Sequence, residues 1–505
     1  MRRILANRYV LALLLILAVG AEFGVASESH PVALAAGTGT AASARAVVTS
    51  VVRACPAPGS TGPTAGGIAV ATASAGTGQA QVSRLSPVSA AAPGPAVNTI
   101  ATPGRAVQAA IPAAPVLGRS LSAGTAATAS QVATGPARGG VMVQATGGMA
   151  RGLEVEQTGP DGVATARCGG PGTDFWFVGP GQHSVADIQL YLMDTDNQPA
   201  TAEVDVDTDS GPLLGSTDTG IAVPAHGLVV QSLANLVRNS RVLALHISTS
   251  VGRVVAAVRE TASAAKPGAW LPAAQPPATS LVLPGVPGSA GTRQLYVAVP
   301  GAGNAQIKLT AVTAKGSYQP TGGNGIDLPG GSAVEVALPS LGGIAGAVRV
   351  TSNVPVTAAM SVPGGGAGAP GAFTAASAPV QEQGVLSGNT GASASLVLSA
   401  PLGAARVRVA AQAGAPATAG NIVHIAAGHS VVVKVSAPTG SAGNAAFAVV
   451  VTPLPGSGPV YAGRVLSAGT AALSILPVAS SLTWVPLPAV HNSLLTVLPG
   501  GQSSG

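Results

Sequence analysis

Ile221-Ala222-Val223-Pro224-Ala225-His226-Gly227-Leu228-Val229 is followed by Leu233, twelve positions after Ile221. About a hundred residues on stands Ile326-Asp327-Leu328-Pro329-Gly330-Gly331, with Leu338 twelve positions after Ile326. After another interval of about the same length comes Val423-His424-Ile425-Ala426-Ala427-Gly428-His429, with Val435 twelve positions after Val423. A short apolar run, a turn rich in Gly and a second apolar run, returning at one period, mark an internal repeat.

Working outward, each copy is preceded by two alternating runs: Ile188, Leu190, Leu192 then Val204, Val206; Leu295, Val297, Val299 then Ile307, Leu309; Leu396, Leu398 then Val407, Val409. Each is followed by a strand, a turn and another strand. These are Val242 to Ser248 with Arg253 to Val258, Val348 to Ser352 with Val354 to Met360, and Phe447 to Val451 with Val460 to Val465. Apolar residues at period two, with polar residues between, give strands with one buried face. About six short strands per hundred residues with Pro/Gly turns have the size of an immunoglobulin-like β-sandwich. The expected fold is therefore all-β, with tandem sandwiches at 171–275, 276–378 and 379–470. Residues 471–505 hold a C-terminal strand around Trp484 and a disordered tail.

Before the repeats, 47–170 is rich in Gly, Pro, Ala and Thr, with weak strand signals at Ile68-Ala69-Val70, Val141-Met142-Val143 and Leu153-Glu154-Val155. A loose β domain closed by a disulfide is the preferred reading, a disordered stalk the other. Residues 27–46 read as a flexible Ala/Gly/Thr linker. Residues 1–26 read as an export signal: Arg2, Arg3 and Arg8, an apolar run from Tyr9 to Ala21, then small residues to Ala26. The run is shorter than a bilayer-spanning helix requires. Cleavage after Ala26 and retention as a signal anchor both stay open. In either case the body lies outside the cytoplasmic membrane, which it touches only through the N-terminal segment.

Composition narrows the function. Of 505 residues, 8% are charged and 3% aromatic, against about 25% charged in an ordinary soluble domain. Few side chains are left to act as acid, base or ligand. The net charge of +6 is spread along the chain, too dilute to meet successive phosphates, so nucleic acid is not an expected partner. Two cysteines, Cys55 and Cys168, are the whole complement. An even count in an exported protein points to a disulfide, although a redox pair is the alternative.

Glycine-rich accidents are set aside by context. Gly366 to Gly371 matches a dinucleotide fingerprint without the helix that fingerprint needs, and Gly501 to Gly505 matches a nucleophile elbow at the chain end. His183, His226, His424 and His429 show no ligand spacing. Asp194, Asp196 and Asp205 are a weak Ca²⁺ candidate, broken by Pro199 where an EF-hand loop needs Gly. Glu203, Asp205, Asp207 and Asp209 read as a solvated strand face. Phe175, Trp176, Trp270 and Trp484 could stack on a sugar, or could fill a core short of large side chains. No catalytic residue, cofactor or metal is expected; a glycosidase would need two facing carboxylates among Asp174, Asp187, Asp194, Glu203 and Glu260.

Cys55-Pro56-Ala57-Pro58, then Cys168 before Thr173-Asp174-Phe175-Trp176-Phe177, then Trp270-Leu271-Pro272, Leu283-Pro284-Gly285 and Gly458-Pro459-Val460-Tyr461-Ala462-Gly463-Arg464 occur in that order. In these motifs the chain resembles an actinobacterial family of exported proteins, domain of unknown function 5719. The resemblance implies a secreted or membrane-tethered envelope protein with tandem sandwiches, linked to envelope glycan assembly, with no catalytic residues to carry over. The expected role is a non-catalytic scaffold or binding spacer whose partners are cell-wall glycan or envelope proteins; the alternatives are a carbohydrate-binding module and a glycan-active enzyme.

Overall fold

Buried apolar and outward polar residues alternate through Ala200–Thr208, Ala305–Thr313 and Ala405–Gln412, the period of a strand with one face on a core. These strands belong to three sheet pairs in a computed structural model of the chain. It describes residues 45–487 except 57–66, 73–76, 89–120, 123–129, 134–138, 160–164, 214–219, 234–235, 262–267, 290, 365–370, 390–392, 413–419, 439–446 and 469–471. The signal segment, the linker up to residue 44, the Gly-rich match at 366–370 and the elbow-like terminus lie outside the described residues. Apart from one 3-10 turn at Gly148–Ala150, the regular structure described is all strand. The protein is an all-β assembly of sandwiches, and no described helix is long and apolar enough to cross a membrane.

One pairing scheme recurs three times. In the first sandwich Ala200–Thr208 pairs with Ile221–Val223 and with Val242–Val251, which also pairs with Asp174–Pro180. The opposite sheet centres on Asp187–Met193, between Gly227–Ser232 and Val255–Thr261, with Ala269–Leu271 at its edge. In the third, Ala405–Gln412 pairs with Asn421–Ile425 and Phe447–Pro453, while Ser393–Ala400 lies between His429–Val435 and Tyr461–Ala468. Its last strand, Ala472–Pro477, pairs with Tyr461–Ala468 and so continues this sandwich beyond residue 470. The second sandwich differs in one respect. The 17-residue strand Gly346–Val362 serves both of its sheets, pairing with Ala305–Thr313 through its first half and with Arg293–Val299 through its second.

The N-terminal residues build a fourth sandwich. One sheet has Gly78–Arg84 and Ser50–Cys55 flanking Val141–Gly147, and the other has Gly67–Ala71 beside Glu154–Thr158. Val70, Val82, Val143 and Val155 share the core between them. Cys55 and Cys168 are disulfide-bonded within it across a sequence separation of 113 residues, a closure worth about 4 to 5 kcal/mol in the chain-entropy account.

The sandwiches are not strung out as separate beads, because Val47–Val485 forms one compact unit. Ser86–Val88 of the N-terminal sandwich adds in parallel to Gly227–Ser232 of the first. The outward side of the first sandwich shares a cluster with Tyr296, Ala333, Ala359 and Phe373 of the second. Val282, Val312 and Ala347 of the second meet Tyr461 of the third, and Ala71 of the N-terminal sandwich meets Val385, Ala448 and Val450 of the third. Gly285 and Gly463 allow backbones of the second and third to touch: a Cβ on Gly463 would lie 2.5 Å from the Gly285 Cα. The four contacts form a closed cycle.

The repeated turn shows one local departure. Gly331 and Gly428 take positive φ before the next strand (67° and 74°), and in the first copy His226 stands there with φ 53°. An L residue with a Cβ is strained in this region, though His tolerates it better than branched residues do. The His226 Nε2 to Asn197 Oδ1 contact at 2.8 Å offsets part of that strain. We expect His226→Gly to leave thermal stability unchanged or raised, and His226→Val to lower it by about 1–2 kcal/mol, as read from denaturant midpoints.

Candidate functional site

Glu154–Thr158 is buried along its whole length, although Glu154 and Glu156 flank Val155 as they would on a solvated strand face. The third sandwich covers that face. Glu156 Oε2 lies 2.7 Å from Arg464 Nη2, with the two side chains 0% and 1% exposed. The same carboxylate accepts hydrogen bonds from the backbone N–H of Ser387 at 2.8 Å and of Gly388 at 3.1 Å. Arg464 also donates to Thr165 Oγ1 at 3.1 Å. A buried ion pair is stable only when its remaining polar atoms are met in this way.

Glu154 sits beside that pair, with Arg167 Nε at 2.8 Å from its Oε1. Burial outweighs the attraction of Arg167 and Arg53 and pushes its carboxyl up to about 7. Arg53 is held below its usual range, chiefly by burial. The cluster lies against a pocket of about 220 Å³ walled by all four sandwiches: Thr165 and Arg167 from the N-terminal one, Phe175 and Trp270 from the first, Ser377 from the chain leaving the second, and Ile475 from the third.

Of the four aromatic candidates, the structure brings Phe175 and Trp270 to this one pocket. Trp270 is fixed from behind by Tyr191, with ring centroids 5.2 Å apart, and by Arg259, whose guanidinium carbon is 5.7 Å from the ring centroid. Trp176 is elsewhere and buried, packed in the cluster shared with the second sandwich and stacked on His246 at 4.2 Å. It has no free face for a sugar because the neighbouring sandwich covers the sheet there. Trp484 is 45% exposed on the short strand Trp484–Pro486.

The Ca²⁺ candidate is not assembled. Asp194 is fully buried, with Oδ1 accepting from the Asp196 N–H at 2.7 Å, and Asp196 holds Arg253 through both oxygens at 3.0 and 2.8 Å. Asp205 belongs to the opposite sheet and faces His246 Nδ1 at 3.3 Å. Strand separation across the sandwich keeps them apart, and no metal-holding group of three His, Cys, Asp or Glu occurs among the described residues. His246 is the residue that sequence reasoning passed over. Asp174 reaches its other ring nitrogen at 3.2 Å, a meeting created by cross-strand register. The remaining carboxylates lie in separate settings: Asp187 accepts from Ser232 Oγ at 3.1 Å, Glu203 is exposed, and Glu260 is buried and pushed up to about 7 by burial.

The profile of a family described as Family of unknown function (DUF5719) matches residues 121–436. No curated protein and no solved structure matches the chain.

Two outcomes are expected from the charge cluster. Arg464→Met leaves Glu156 buried without its partner and should lower stability by about 3–5 kcal/mol in denaturant titrations; adding Glu156→Gln should recover part of that loss. The folded Glu154 and Glu260 keep protons near pH 7 that the unfolded chain releases near 4.5, so stability falls as pH rises from about 4.5 to about 7. Thermal midpoints across that window should show the fall, and Glu154→Gln should flatten it.

Proposed function

The chain belongs to the family of unknown function DUF5719, and on that footing we propose that it is an exported, non-catalytic envelope protein. In this reading its fused sandwiches act as a rigid scaffold or binding spacer for wall glycan or envelope proteins. The observation that carries it is the use made of the charged side chains. Glu156 with Arg464 fastens two sandwiches together, Glu154 holds Arg167, Asp196 clamps Arg253, and Glu382 anchors Thr483 through its N–H and hydroxyl. These groups are engaged in cross-linking strands and loops, which is the work of a scaffold. Such sandwiches present edge strands and end loops as binding surface without needing reactive groups.

Export is supported by the disulfide, whose sulfurs belong to fully buried residues and which persists only in an oxidising compartment. The motifs quoted for the family resemblance also fall at structural joints. Gly285 and Gly463 touch between sandwiches, Arg464 holds the buried pair, and Trp270, Leu271 and Pro272 line the central pocket.

The test is to incubate the full chain with insoluble cell wall from the producing cells, at low and high salt, and to cross-link it in intact cells. Retention on wall, or cross-linking to an envelope protein with the wall recovered intact, is the expected result. Release of soluble wall fragments by the purified chain would overturn the reading, and so would free Cys55 and Cys168 thiols in protein taken from its native compartment.

A further inference from the structure

We infer that the pocket at the junction of the four sandwiches binds one small molecule with a short apolar tail and an anionic head. The head would meet Arg167 and Ser377, and the tail would lie against Phe175, Trp270, Leu271 and Ile475. Four observations lead there, and none depends on the scaffold role.

The first is the wall chemistry. Among the described residues seventeen line the pocket, and of these, apart from the Trp270 indole, only Thr165, Arg167 and Ser377 bring a polar side chain to it. A sugar buried there would leave most of its hydroxyls without partners, each an unfavourable desolvation. An apolar body with one polar end matches the usual make-up of a small-molecule site. The second is size. The cavity of about 220 Å³ exceeds the roughly 150 Å³ that suffices for a benzene molecule in an apolar core, so a chain of several carbons fits.

The third is that polar atoms at this wall lack protein partners. Arg167 Nη2 and Ser377 Oγ are both buried atoms without a hydrogen bond among the described residues, and Thr165 is already bonded to Ser474 and Arg464. Their residues line the pocket, and a guanidinium donor and a hydroxyl unpaired just behind its surface suit a carboxylate or phosphate oxygen once a side-chain rotation turns them toward it. The fourth is charge. Arg53, Arg167, Arg464 and Glu156 all act electrostatically on Glu154, whose carboxyl is pushed up to about 7: three cations against one carboxylate and a second that is partly protonated near neutral pH leave at least one positive charge in excess beside an apolar cavity. An anionic head neutralises it.

Titration calorimetry with the full chain, backed by tryptophan fluorescence, tests this with four probes: octanoate, octyl phosphate, octanol and inorganic phosphate. The expected result is one saturable site for octanoate or octyl phosphate, with octanol and inorganic phosphate at least tenfold weaker. Which of the two acids binds more tightly tells a carboxylate from a phosphate headgroup. Ala479, exposed at the pocket wall, tolerates a larger side chain, and Ala479→Phe should abolish binding with an unchanged thermal midpoint. Arg167→Gln should remove the preference for the acids over octanol, chiefly by weakening binding of the acids. Ser377→Ala, which disturbs no ion pair, should narrow that preference should Arg167→Gln fail to fold. The inference is overturned by an absence of saturable binding of either acid, by octanol binding as tightly as the acids, or by undiminished binding to Ala479→Phe.

Discussion

The ion pair between Glu156 and Arg464 is the constraint on which the arrangement of the four sandwiches rests. It lies where the N-terminal sandwich meets the third, and it is the contact that turns a row of sandwiches into a closed cycle. Two fully buried charges are tolerated only with their remaining polar atoms met. Here the backbone N–H groups of Ser387 and Gly388 meet the carboxylate, and Thr165 Oγ1 and Asn389 Oδ1 accept from the two terminal nitrogens of Arg464, leaving only its Nε without a partner among the described residues. Because those partners come from two strands, Gly384–Asn389 of the third sandwich and Thr165–Arg167 of the N-terminal one, the pair fixes the docking geometry far more narrowly than the alanine and valine contacts around it. Apolar clusters such as Ala71 with Val385, Ala448 and Val450 supply area but little directional preference.

Closing the cycle has a direct effect on what lies at its centre. Each sandwich alone would show Phe175, Trp270, Arg167 or Ile475 as ordinary surface or edge residues. Once the four are held in place, those side chains enclose a common volume, and the positive surplus of the neighbouring cluster is confined next to it. The site is thus a product of quaternary-like packing within a single chain, and its geometry is only as well defined as the joints between sandwiches.

The same reasoning explains how much could be read from the residues. The strand pattern was legible wherever apolar residues alternate over a core of their own, as in Ala200–Thr208, and the repeated turn revealed itself through Pro224, Pro329 and the glycines that follow. The paired cysteines were legible from their count. Burial of Glu154 and Glu156 was not, since alternation with Val155 describes a solvated face equally well until the third sandwich covers it. Trp176 and Phe175 adjoin in sequence and face opposite ways, so neighbouring residues met opposite fates: one entered a joint, the other the pocket. His246 gained two aspartates through register alone, which no local spacing announces.

The order in which the chain is made gives the closed cycle a further significance. Ser387 Oγ donates to Ala69 O across 318 residues of sequence, and the partner of Glu156, Arg464, lies later in the chain than Ser387 does. The first sandwich to be synthesised is therefore the last to complete its contacts, and long-range closure of this kind makes folding slow. Until then Glu156 keeps its water shell, and the incomplete face of the N-terminal sandwich carries a charge that makes its burial against other molecules costly. The buried pair thus acts twice: as a safeguard on the unfinished chain, and as the latch of the finished one.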